Sequence, residues 1–168
     1  MNERFGFVRR HVVTGVAGSG KTTIGIGLAD RLGTAFVDAD SAHPPENIDK
    51  MAAGVALTDD DRQPWLRALQ HELSSSPSFV ITCSALRRSY RDLLRGAGSV
   101  TFVFLDIDRT TALQRLNARQ GHFMKAEMVE SQFADLERPG PDEPDVFVVD
   151  GRRPAPALLD DLVVQLAP

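Results

Sequence analysis

The chain has 168 residues, 42% hydrophobic and 25% charged, which is enough to bury one substantial core; a single globular domain over 1–168 is expected. Its formal net charge of −4 argues against nucleic-acid binding, which needs a basic face, and leaves local arginines and lysines to hold small anions. The single cysteine, Cys83, excludes an internal disulfide and is expected to fill the core; no apolar run is long enough to span a bilayer, and Met1 to Arg10 lacks the apolar block of a secretory signal. A cytoplasmic protein with no membrane partner is the expectation.

The first predicted strand, His11 to Thr14, carries the β-branched pair Val12 and Val13. From Lys21 onward Ile24, Leu28 and Leu32 recur at helical spacing. Between strand and helix, Gly15, Gly20, Lys21 and Thr22 fill every fixed position of the phosphate-binding pattern G-x-x-x-x-G-K-[ST]. In that setting backbone N–H groups curl round a polyphosphate at the positive end of a helix, Lys21 reaches the outer phosphates and Thr22 can ligate Mg²⁺. A nucleoside triphosphate site follows. The N-K-x-D motif of a guanine-reading switch is absent.

Four more short apolar runs read as strands: Ala35 to Asp38, Phe79 to Cys83, Val100 to Leu105 and Val146 to Val149. Helical stretches alternate with them, which predicts an α/β fold: a five-stranded parallel sheet flanked by helices, with ligands at the carboxyl ends of its strands. The core would span 11–40 and 78–168. A helical substrate-binding insertion of about 41–77 would carry helices at Glu46 to Ala53 and Asp60 to Ser74, the second capped by Asp59 or Asp60. A second insertion, Gly121 to Lys125, joins two helices and is expected to form a short lid. Arg138 to Pro144 is too rich in proline and glycine for a helix, and Pro154 to Leu166 closes the chain as one.

Several side chains fall where chemistry is expected. Asp38 and Asp40, one residue apart at the end of the second strand, point the same way. One could hold Mg²⁺ through water while the other accepts a proton from an attacking hydroxyl, although a solvated turn also uses Asp freely. The third strand ends in ITCSAL without an acid, which moves the metal duty toward Thr22 and Asp38; Ser84 there either hydrogen-bonds that shell or caps a helix from Leu86. His43 reads as a turn residue or a ligand, and Arg62 as a helix charge or an anion contact. Arg87 is the best placed of the cluster Arg87, Arg88, Arg91 and Arg95 to reach an anion; the cluster also fits a wet helix face. Arg115 and Arg119, one helical turn apart before GHFMK, suit an ATP clamp or a charged helix surface.

Taken together, GVAGSGKT, DADSAHPPENIDKMAAGVALTDDDRQPWL, CSALRRSYRDLLR and RLNARQGHFMKAEMVESQFADLE resemble the gluconate kinases of the gluconokinase family, in order and spacing, over most of Val13 to Pro139. The second block is the specific one, since HPxxN, KMxxG and DDDRxPWL do not occur together in other small-molecule kinases of this P-loop kinase fold. The resemblance implies ATP-dependent phosphorylation of D-gluconate at its terminal hydroxyl, giving 6-phosphogluconate and ADP. By similarity Gly15, Gly18, Ser19, Gly20, Lys21, Thr22 and Thr23 bind ATP and magnesium, with Lys21 also catalytic. Asp40 orients or deprotonates the acceptor hydroxyl. His43, Arg62 and Arg87 bind the polyol and its carboxylate, while Arg119, and Arg115 beside it, clamp ATP, with Arg119 also stabilising the transferring group. Family members are often dimers, so a homodimer is expected. The chain departs from the family at Ala39, where Gly is usual, at Ala42, where a bulky apolar residue is usual, and at Arg87, where Lys is common.

Overall fold

The computed structural model describes residues 9–76, 78–118 and 126–166. Five strands, β1 (Arg9–Thr14), β2 (Ala35–Asp38), β3 (Ser78–Thr82), β4 (Thr101–Asp106) and β5 (Val146–Asp150), make one parallel sheet in the order β2-β3-β1-β4-β5. The helices are α1 (Lys21–Leu32), α2 (Pro45–Ala52), α3 (Asp59–Ser75), α4 (Arg88–Arg95), α5 (Arg109–Ala118), α6 (Ala126–Asp135) and α7 (Ala155–Gln165). Because β1 is central, the loop that follows it emerges from the middle of the sheet's carboxyl edge.

In β1, β3 and β4 the apolar runs have a direct structural cause, since side chains alternate between two covered faces; the edge strands β2 and β5 are only partly buried, contrary to the sequence expectation, and Val148 is exposed. On one face Val12, Ile81 and Phe102 pack with Leu66, Leu69 and Leu73 of α3 and Leu94 of α4; buried Cys83 belongs to this layer as a free thiol, and burial pushes its pKa up. On the other face Val13, Val80 and Val103 pack with Leu28 of α1 and Leu158 and Leu162 of α7. A third cluster lies beyond the sheet edge, where Val16 and Ala17 of the loop meet Ala112 and Leu116 of α5 and Val129 of α6. The loop is thereby anchored on its apolar side.

Most element ends fall within one or two residues of those the sequence predicts, and two differences have a specific physical cause. Thr58, rather than Asp59 or Asp60, caps α3: its hydroxyl accepts from the Asp61 N–H at 3.2 Å while the Asp61 carboxylate accepts from the Thr58 N–H at 2.9 Å. This reciprocal box satisfies two otherwise orphaned donors, which a lone Asp cap would not do. The helix expected from Leu86 starts at Arg88. Ala85 turns at a φ of 39°, and the carbonyls of Ala85 and Leu86 each accept from the Arg91 guanidinium at 3.1 Å. Arg91 is fully buried and also pairs with Glu143 at 2.8 and 2.6 Å, which ties the β3–α4 turn to the loop before β5. That loop, 138–144, is neither helix nor strand, as its composition predicts. Among the described residues no helix is long and apolar enough to cross a membrane.

Candidate active site

The loop after β1 is shaped by backbone that only glycine adopts readily. Gly20, at φ 98°, is the N-cap of α1, and Gly18 turns at φ 80°. A Cβ on Gly18 would lie 2.9 Å from the Ala112 carbonyl, so α5 packs directly on the loop backbone. One turn further along α5, Arg115 donates to the carbonyls of Gly18 and Ser19 at 3.3 Å each. Lys21 is buried; its Nζ lies 3.3 Å from the Val16 carbonyl and 3.5 Å from Asp40 Oδ2. Thr22 and Thr23 are exposed on the first turn of α1. Ser19 Oγ is buried with no hydrogen-bond partner among the described residues, a hydroxyl held in reserve at the base of an anion cradle.

The two strand-tip acids divide their contacts. Asp38 Oδ1 accepts from the Asp40 N–H at 3.1 Å and from the Thr82 hydroxyl at 3.0 Å, which fixes the turn Ala39–Ala42; because β2 ends at Asp38 and Asp40 lies in that turn, the two acids do not share the strand geometry expected of them. Asp40 faces Lys21 on one side and the Ser84 hydroxyl, at 3.5 Å, on the other. Ser84 caps no helix, since α4 starts at Arg88 with Arg87 as its N-cap, and its hydroxyl meets Asp40 rather than Thr22 or Asp38. Ala39 adopts no positive φ, and its buried backbone carbonyl accepts from Trp65 Nε1 at 3.0 Å, so alanine is accommodated in place of the family's glycine. Ala42 is exposed.

Beside Asp40 and Ser84 lies a pocket of about 60 Å³ whose walls include His43, Leu57, Arg62, Trp65, Tyr90 and Gln132. His43 stacks on Trp65 with ring centroids 3.8 Å apart, and its Nδ1 lies 3.4 Å from Asn47 Nδ2. Burial holds its pKa below the ordinary histidine value, with the Arg62 charge adding to that effect and Asp40 opposing it. Arg62 donates to the Tyr90 hydroxyl at 3.0 Å and pairs with Asp135 at 3.1 Å. Arg87 is not in the pocket wall: Asp135 at 2.6 Å and Asp59 at 3.1 Å hold it, and the Asp135 hydrogen bond raises its pKa.

On the opposite side of the loop is an open cavity of about 350 Å³, bordered by Gly18, Gly20, Thr23, Arg115, Arg153 and Pro154. Its far wall, the turn Gly151–Pro154 between β5 and α7, is absent from the residues that sequence reasoning singles out. The GRRP run after the last strand was a usable signal, because ligands of open parallel sheets gather at strand carboxyl ends. Gln132, whose Oε1 accepts from the Ala17 N–H at 2.7 Å, carried no local signal at all. Arg119 and the segment 121–125 lie outside the described residues.

A phosphate loop with a buried lysine, paired strand-tip acids and pockets on either side defines a P-loop phosphotransferase. The family model for shikimate kinase matches residues 17–166. At sequence level the chain is 46% identical over 157 residues to a gluconokinase of Gluconobacter oxydans, covering 90% of this chain and 88% of the relative. It is also 46% identical over 149 residues to the thermoresistant gluconokinase of Escherichia coli, covering 86% and 85%. Among solved structures, a gluconokinase from Sinorhizobium meliloti superposes with a TM-score of 0.88 at 42% identity, covering 96% of this chain and 93% of the other. Within the shikimate kinase group, the chain belongs to the gluconokinase family.

Proposed function

We propose that the protein transfers the γ-phosphoryl group of ATP to the terminal hydroxyl of D-gluconate, giving 6-phosphogluconate and ADP. The observation that carries this reading is the position of Asp40, 3.5 Å from the loop lysine and beside a pocket walled by His43 and Arg62. ATP fits the donor side, where loop amides and Lys21 meet the phosphates, Thr23 and Arg115 border the cavity, and Pro154 supplies an apolar surface for the base. Gluconate is assigned to the acceptor side, with His43 and Arg62 as polyol and carboxylate contacts and the segment 41–77 as the element that presents them; at about 60 Å³ the pocket must open to admit it. Arg87, assigned to the same carboxylate by the family resemblance, is held outside the pocket by Asp59 and Asp135. Identity of 46% to gluconokinases over most of the chain supports this acceptor above other alcohols.

The residues also fit a magnesium ion. No cluster of three or more acidic, histidine or cysteine side chains that could hold a metal occurs among the described residues, and Mg²⁺ in kinase sites is held chiefly by phosphates and water with one or two protein oxygens. Thr22, exposed on the first turn of α1, and Asp38, fixed by two hydrogen bonds, would supply those oxygens. When bound, the ion would neutralise charge on the polyphosphate.

The chain's own residues then account for the transfer. Lys21 neutralises charge on the migrating group, and the loop N–H groups orient it. Asp40 accepts the hydroxyl proton as the acceptor oxygen bonds to the γ-phosphorus and the bond to the bridging oxygen of ADP breaks. A homodimer in the cytoplasm is the assembly and location this reading carries, supported by the family resemblance and by the lone buried thiol. Coupled ADP release over a panel of gluconate, other sugar acids, shikimate and nucleoside monophosphates tests the acceptor. Gluconate should turn over fastest; ATP binding without acceptor-dependent turnover would instead indicate a regulatory module.

A further inference from the structure

Asn47 is the only buried residue of α2, and it is polar. Taking a carboxamide out of water is costly unless it is hydrogen-bonded, so its contacts carry information. Its Nδ2 donates to the Asp61 carbonyl of α3 at 2.9 Å. That oxygen can only accept, which fixes the carboxamide with its NH₂ group toward α3. The same nitrogen has a second hydrogen, and it lies 3.4 Å from His43 Nδ1. A proton on Nδ1 would set two donors against each other, so Nδ1 carries the lone pair, and in a neutral ring the proton then sits on Nε2. The ring is stacked on Trp65, whose Nε1–H is tied to the Ala39 carbonyl at 3.0 Å. Nε2 has no hydrogen-bond partner among the described residues, and His43 lines the acceptor pocket.

We propose that Asn47 is a positioning residue for the acceptor: it locks His43 in the tautomer with Nε2 protonated, so that the pocket meets the substrate with an N–H and not with a lone pair. Arg62, on the same wall, can also only donate. This wall therefore selects a group that presents oxygen lone pairs, as a carboxylate or a hydroxyl does, and discriminates against an ammonium group. Burial lowers the pKa of the ring and so favours the neutral form, in which the choice of tautomer matters. The charged groups facing it are Asp40 from the turn after β2 and Arg62 from α3, while the ring of Trp65 covers one face without charge. That gluconate receives this N–H rests on the acceptor assignment above; the tautomer itself does not.

Nitrogen NMR of protein labelled at its histidine rings tests this, with the His43 signals identified by their loss in His43→Gln. In the neutral wild-type ring, Nδ1 should read as unprotonated and Nε2 as protonated. In Asn47→Asp a carboxylate replaces the amide donor, so the proton should move to Nδ1 and the ring should titrate at higher pH. In Asn47→Leu neither tautomer is held, and both should be populated. Both variants should raise the gluconate KM about 3- to 10-fold, the worth of one hydrogen bond, with kcat and the ATP KM changed less than about twofold. A loosened insertion alone would lower stability and leave the protonation pattern of the ring in place. The wild-type reading needs no variant, and Asn47→Leu serves if Asn47→Asp does not fold. A wild-type ring protonated on Nδ1, a pattern unchanged in a folded variant, or a tautomer that moves with no change in the gluconate KM overturns the proposal. A wild type with Nε2 protonated that does not phosphorylate gluconate overturns the acceptor assignment and the donor role toward gluconate, while the relation between Asn47 and His43 stands.

Discussion

Lys21 Nζ stands 3.5 Å from Asp40 Oδ2, so the cation assigned to the donor and the base assigned to the acceptor are already paired at the sheet edge. The pairing places a proton acceptor against the position a γ-phosphate would occupy. Asp40→Asn keeps the shape and removes the base. Turnover is expected to fall by roughly 10²- to 10⁴-fold, with affinity for an ATP analogue close to wild type. Steady-state kinetics with calorimetry of the analogue check this; unchanged turnover would remove Asp40 from the chemistry.

The two arginines assigned to the acceptor carboxylate stand in different places. Arg62 lines the pocket, whereas Arg87 is held outside it by Asp59 and Asp135. Arg62→Ala should raise the gluconate KM by about 10- to 100-fold, the value of a lost charged hydrogen bond, and Arg87→Ala by much less. Equal effects would show that Arg87 swings inward on binding.

His11 makes a separate prediction about stability. It is buried on β1, neither ring nitrogen has a partner among the described residues, and burial together with Arg9 lowers its pKa to about 4. Between pH 6.5 and about 4 the unfolded chain takes up the proton and the folded one does not, so the folded state loses stability as pH falls through that window. His11→Leu removes the effect. Its melting midpoint, relative to wild type, should improve on going from pH 7.5 to pH 5, a differential of about 2 kcal/mol. An equal offset at both pH values would contradict the assignment.

The Arg91–Glu143 pair titrates at more acidic pH. Hydrogen bonds from Arg91 hold the Glu143 carboxyl at about 2, below its usual 4.5, so its contribution is complete above 4.5 and lost as pH falls toward 2. Glu143→Gln leaves Arg91 buried without its counter-charge and should cost about 3–5 kcal/mol near neutral pH. Denaturant titrations should show the gap to wild type narrowing steadily below pH 4.5.

The legible parts of this molecule were those with a local physical cause. Strands covered on both faces leave unbroken apolar runs, which is why β4, buried from Phe102 to Leu105, is found within one residue of its predicted span; the phosphate loop is a contiguous pattern. Thr58 was missed as the α3 cap because three aspartates follow it, and only the reciprocal bond to Asp61 distinguishes the true cap. The late start of α4 depends on Arg91 holding two carbonyls of the preceding turn, and the position of Arg87 depends on Asp135, 48 residues away. Neither contact leaves a trace in local spacing. Gln132 on the Ala17 amide is the extreme case, since glutamine at one position of a helix predicts nothing about a loop 115 residues earlier.

The central claim concerns which oxygen of which acceptor receives the phosphoryl group. Phosphorus NMR of a reaction containing the protein, ATP, Mg²⁺ and D-gluconate reads this directly. The account predicts one new phosphomonoester whose phosphorus couples to the two protons of a primary carbon, formed in step with ADP. A doublet from a secondary carbon, inorganic phosphate in place of the ester, or an ester formed with shikimate or a nucleotide and not with gluconate would contradict it.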